Sequence, residues 1–174
     1  MQRTAFISFT TDVTSVVPSG FRLRIEGAVL PSAQMRLEYL TANDWALLRS
    51  KSRKMSYRPG EVIIRLNARP EALFILKSGS ATVEVTRGNV IARLGEDDIC
   101  GEMAFIENSL ASASVIAEKD TEVEAFHVSD LTETFASFPH LEARFFKSLV
   151  LLLSHRLRRT SGELAKALAR PISA

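Results

Sequence analysis

At 174 residues the chain has room for one domain with a substantial core and hardly for two independent ones. Hydrophobic residues at 46% and charged residues at 24% are those of an ordinary globular protein, and a formal net charge of +2 is too small to imply a nucleic-acid partner by itself. The single cysteine, Cys100, excludes an internal disulfide and any multi-cysteine zinc site.

The start, MQRTAFISFTTDVTSVV, is interrupted by Asp12 and several hydroxyl residues and has no n-region and h-region of the secretory kind. The longest apolar run, 149–153, falls far short of the roughly 20 residues a membrane-spanning helix needs. With a lone cysteine, this predicts a cytoplasmic protein. Residues 1–34 read as an extension without an assigned function: Phe21, Leu23 and Ile25 alternate with Arg22, Arg24 and Glu26 like a strand, between breakers at Pro18-Ser19-Gly20 and Pro31-Ser32.

A domain is expected over 35–160. Thr41 to Asp44 resembles a capping box with Asp in place of Glu or Gln, and Trp45, Leu47 and Leu48 supply an apolar face, so a helix is predicted over 41–52. The cluster Arg49, Lys51, Arg53, Lys54 and Arg58 admits a nucleic-acid or lipid-headgroup patch. The plainer reading is cations gathered at a helix C-terminus and solvated. Pro59-Gly60 is a turn, after which short apolar and β-branched runs follow at 61–66, 73–76, 81–85, 89–94, 98–100, 113–117 and 123–128, separated by turn residues. Such spacing predicts a mainly β fold, an antiparallel β-roll of jelly-roll type over 55–129, with flanking helices.

Helical periodicity returns at Ser129-Asp130. Helices are predicted over 130–138, capped by Asp130 with Leu131, Phe135 and Phe138 inward, and over 139–159, with Pro139 in its first turn. Phe145, Leu149, Leu152 and Leu153 form a stripe wider than one barrel face needs, which predicts a homodimer through this C-terminal helix; core packing alone is the alternative. Residues 161–174 read as a short tail.

The stretch 99–115, ICGEMAFIENSLASASV, carries the candidate site. Gly101 permits a tight bend, the amides after it suit an anion, and Glu102 offers a carboxylate to a hydroxyl beside that anion, which together suggest a phosphorylated sugar. No basic side chain lies within the stretch. In order and kind, Tyr57-Arg-Pro-Gly-Glu-Val-Ile-Ile64, Glu71-Ala-Leu-Phe-Ile-Leu76 with Gly79, Ala81-Thr-Val-Glu-Val85, Asp98, Gly101-Glu-Met-Ala104, Ser112-Ala-Ser-Val115 and Ser154-His-Arg-Leu-Arg158 resemble the cyclic nucleotide-binding domain family, which includes effector domains of Crp/Fnr regulators.

The resemblance implies a β-roll with an N-terminal helix and two C-terminal helices, and a phosphate-binding cassette made of Gly101, Glu102, Met103, Ala104, Ala111, Ser112, Ala113 and Ser114. Within it Glu102 corresponds to the acceptor of a ribose 2′-hydroxyl, and Ser112 to a Ser or Thr contact of cGMP-preferring members. The arginine that pairs with the cyclic phosphate corresponds to Ala111, so the cassette is degenerate. Truncating one partner of a buried charge pair costs about 2–5 kcal/mol, and each 1.4 kcal/mol is about tenfold in affinity, so weak or no binding of cAMP or cGMP is implied. Arg93 and Lys119 are the neighbouring cations that offer a substitute, against acidic Glu96, Asp97, Asp98 and Glu107. Asn67 stands where the family has Gly.

His127, His140 and His155 have no metal spacing, and no Walker loop, G-x-S-x-G or placed catalytic base is present, so no metal and no enzyme activity are expected. About fifteen residues follow Arg159, too few for the winged DNA-binding domain that Crp/Fnr regulators carry, so DNA is not an expected partner. The sequence predicts a non-catalytic regulatory module responding to a small-molecule effector; the alternative is a genuine cAMP or cGMP receptor with a non-standard phosphate contact.

Overall fold

The structure is a computed structural model, described here over residues 37–168. The reading of residues 1–34 as an extension falls outside those residues. Helix α1 spans Ala42–Ser50, and the capping box exists as expected: the Asp44 amide donates to Thr41 Oγ1 at 3.2 Å, and the Thr41 amide donates to Asp44 Oδ2 at 2.9 Å. Eight strands follow, β1 (Arg53–Tyr57), β2 (Val62–Ile64), β3 (Ala72–Ser78), β4 (Ala81–Thr86), β5 (Asn89–Leu94), β6 (Ile99–Cys100), β7 (Ser114–Ala117) and β8 (Thr121–His127), with helix α2 (Glu102–Glu107) between β6 and β7. Helices α3 (Val128–Ser137) and α4 (Pro139–Leu168) close the described chain.

The strands form two four-stranded sheets, β1-β8-β3-β6 and β2-β7-β4-β5, with all pairs antiparallel. One core lies between the sheets, around Ile64, Phe74, Leu76, Ala81, Val115 and Val123. A second lies between the first sheet and the helices, where Leu73, Ile75, Ile99 and Phe126 meet Leu48, Leu131, Phe135, Phe145 and Leu149. Side chains of β3 alternate between the two, which is why its apolar run is continuous rather than alternating with polar residues. This is the β-roll with flanking helices that the sequence predicted.

Strand β1 lies inside the basic cluster and has no apolar alternation to announce it; it is an edge strand, exposed from Arg53 to Ser56, and takes its register from β8. Two of the cluster's cations have acidic partners: Arg49 stacks on Trp45 and lies 3.6 Å from Glu124, and Lys51 pairs with Glu133 at 3.0 Å. The predicted cap at Asp130 is displaced. β8 runs directly into α3 at Val128, leaving Asp130 in the first turn, and Phe138 is 46% exposed rather than inward.

The last helix differs most from expectation. It continues through Leu168, so the supposed tail is helical at least that far, as its strong formers Glu163-Leu-Ala-Lys-Ala-Leu168 favour. Phe145, Leu149 and Leu152, assigned to a dimer seam, are buried in the domain's own core, and Leu153 is half-buried against it. They are therefore not a free seam, because the outer face of the first sheet already covers them. The apolar residues that α4 leaves exposed are Val150, Leu157, Leu164 and Leu168, at 62%, 68%, 49% and 71%. Its first half is bolted to the N-terminal elements: Arg144 grips Asp44 with two hydrogen bonds of 2.7 and 2.6 Å, and Ser148 Oγ accepts the Tyr39 amide at 3.1 Å.

Candidate functional site

Strand β6 ends at Gly101, which adopts φ +89° and has Ala72 O only 3.0 Å from where a Cβ would stand. Any larger residue would be strained there and would press on β3, so the glycine fixes the bend that launches α2. The helix stops at Asn108, also left-handed at φ 49°, and the chain returns through Ser109 to Ala111 before entering β7.

The cassette residues occupy this one turn of chain but not one environment. Glu102 and Ala104 are buried, Met103 is 45% exposed, Ala111 is buried in the core between the sheets, and Ser112 is exposed with Ala113 and Ser114 half-buried behind it. Ser114 Oγ accepts the Leu66 amide at 3.0 Å. The main chain of Ala111 is tied on both sides to the β2–β3 loop: its amide donates to Ala68 O at 2.8 Å, and its carbonyl accepts the Asn67 amide at 2.9 Å. Asn67 holds φ +60°, the left-handed conformation that Asn tolerates better than most residues.

Electrostatically the turn centres on Glu102. Its carboxylate, on a residue 4% exposed, forms an ion pair with Arg156 Nη1, and Arg156 Nη2 donates to Ile99 O at 2.6 Å. Burial raises the Glu102 pKa above its ordinary value, against the pull of Arg156. Asp98, 5% exposed, is likewise raised by burial and opposed by the Gly95 amide, which donates to it at 2.8 Å. Burial also pushes the Cys100 thiol far up, so it is an inert packing group.

Sequence reasoning missed Arg156. It stands 54 positions from Glu102, among cations that read locally as a helix end, and only the path of α4 across the turn brings it to the carboxylate. Of the two neighbouring cations, Arg93 is engaged elsewhere, with Glu118 at 3.0 Å, and Lys119 is exposed. Phe105 of α2 stacks on Phe146 with centroids 5.7 Å apart and meets Phe145 edge-on at 6.2 Å, so the cassette helix and α4 share packing as well as charge. Among the described residues, no group of His, Cys, Asp and Glu side chains is placed to hold a metal, and no helix is long and apolar enough to cross a membrane.

The family described as the cyclic nucleotide-binding domain matches residues 54–138. The chain is 28% identical over 123 residues to cyclic GMP-binding protein C of Dictyostelium discoideum, covering 68% of this chain and 5% of that protein. It is 30% identical over 124 residues to glutaminase 1 of Bradyrhizobium diazoefficiens, covering 71% and 20%. It thus spans a small part of the curated relatives it matches. Among solved structures it is similar to the Thermus thermophilus catabolite activator protein, with a TM-score of 0.60, 27% identity and coverage of 72% of this chain and 59% of that one. A cyclic nucleotide-binding domain from Methylobacillus flagellatus shares the fold at a TM-score of 0.69 and 19% identity, covering 80% and 85%. The two-sheet roll, the Gly-Glu turn and these likenesses agree, and the chain carries a domain that belongs to the cyclic nucleotide-binding domain family.

Proposed function

We propose that the domain is a non-catalytic regulatory module that responds to a small-molecule effector and binds cAMP and cGMP weakly or not at all. The observation that carries this reading is Ala111. It stands where the family's phosphate-pairing arginine belongs, and its methyl group is buried against the core with both main-chain hydrogen bonds already made. Glu102, the position of the ribose acceptor, is engaged by Arg156, so a ligand hydroxyl must share that carboxylate or displace the guanidinium. The enzymes among the relatives are far longer than the segment of them that matches this chain.

Calorimetric titration with cAMP and cGMP tests the reading. Dissociation constants weaker than about 10 μM are expected, and tighter binding overturns it. Ala111→Arg supplies the missing cation and is expected to tighten binding by about tenfold or more. The second reading, a full cAMP or cGMP receptor with a displaced phosphate contact, is favoured by the retained frame of Gly101, Glu102 and Ser112, and tight wild-type binding is the result that selects it.

The proposed assembly is a homodimer along α4. Val150, Leu157 and Leu164 recur every seven residues on the exposed side of the helix, the spacing that lets two helices wind around each other. This seam replaces the stripe of Phe145, Leu149, Leu152 and Leu153.

A further inference from the structure

The cassette lacks an arginine at Ala111, yet an exposed one, Arg69, reaches Asn108 at the end of α2 from another element. Ala68 and Asn67 hold the Ala111 main chain through hydrogen bonds of 2.8 and 2.9 Å, which fastens the β2–β3 loop to the distal end of the cassette. Arg69 follows directly, and its side chain does not turn away from the cassette: Nη1 donates to Asn108 Oδ1 at the end of α2. The guanidinium therefore bridges the loop to the segment between Asn108 and Ala111.

Its charge is also uncommitted. Arg156 is paired with Glu102, Arg93 with Glu118 and Lys77 with Asp97, whereas among the described residues the partner of Arg69 is a neutral amide. A guanidinium has five N–H donors in a rigid fork suited to the oxygens of a phosphate, and one bond to Asn108 leaves most of them for an anion.

Resting on the reading of this turn as a cyclic nucleotide-type site, we infer that Arg69 supplies from the β2–β3 loop the cation that Ala111 lacks, so the site takes a phosphate diester anion through a loop arginine. Residual binding of a cyclic nucleotide is then carried by Arg69.

The test is calorimetry with cAMP and cGMP on wild type, Arg69→Ala, Arg69→Lys, Ala111→Arg, the double variant Arg69→Ala/Ala111→Arg, and Arg87→Ala on the exposed β4–β5 turn. Wild type is expected to bind with a dissociation constant below about 1 mM, Arg69→Ala to lose about tenfold to a hundredfold, Arg69→Lys to fall between, and Arg87→Ala to stay within about twofold. Recovery of binding in the double variant shows that the Arg69→Ala pocket is folded and that the loss was one of charge. Unchanged binding by Arg69→Ala overturns the inference, as does a double variant that stays inactive while Ala111→Arg binds, since Arg69 then serves only to hold the loop. Wild type that fails to bind at about 1 mM while Ala111→Arg binds overturns the role of Arg69 and leaves the weak-binding reading intact. If neither binds, the role of Arg69 falls, and with it the expectation that Ala111→Arg restores the site.

Discussion

A carboxylate on a residue with 4% of its surface exposed needs a countercharge, and Glu102 finds one in Arg156. Removing the arginine leaves a buried charge uncompensated, so Arg156→Ala is expected to lose about 3–5 kcal/mol at neutral pH, measured by urea unfolding. Burial holds the Glu102 pKa above its ordinary 4.5, so the folded state keeps that proton to a higher pH than the unfolded chain does. Stability tied to this group therefore rises as pH falls through that window, and the variant, lacking the opposing cation, is expected to recover part of its loss there. Glu102→Gln in the Arg156→Ala background should recover stability at neutral pH; no recovery would remove the charge argument. Glu102 itself was legible, because Gly-Glu after a strand is a local pattern. Arg156 and Arg69 were not, since neither has a local signal that ties it to a turn it reaches only in space.

Among the elements, α4 has two apolar faces with different duties. The face of Leu141, Phe145, Leu149 and Leu152 closes the helical core, so Leu149→Ala is expected to cost about 2–5 kcal/mol as a cavity opens. The face of Val150, Leu157 and Leu164 touches no core cluster, and Leu157→Glu with Leu164→Glu is expected to halve the mass seen by light scattering while far-UV circular dichroism of the roll is retained. A wild-type monomer would refute the seam. In the sequence Phe145, Leu149, Leu152 and Leu153 read as the stripe, which does not separate the face the sheet covers from Val150 and Leu164 on the other. It read most strand interiors correctly, because turns at Pro59-Gly60, Gly79 and Gly88 punctuate them, and missed β1, whose identity as a strand comes from its pairing with β8.

At the scale of the molecule, β3 belongs to both cores, with Phe74 and Leu76 on one side and Leu73 and Ile75 on the other. The sheets and the helices therefore share a strand neither can lose alone, and one cooperative transition is expected. Trp45, the single tryptophan, reports on the helical core, so its fluorescence transition in urea should coincide with that of far-UV circular dichroism; separated midpoints would show the two layers melting independently. By itself the sequence determined the roll, the helices on either side of it, the capping box at Thr41 and the Gly101-Glu102 turn, because periodicity, turn residues and capping act over a few residues. Only the tertiary structure decided that Arg156 meets Glu102, that Arg69 meets Asn108 and which face of α4 is left bare, because these depend on contacts between segments far apart in the chain, whose distances no local pattern encodes.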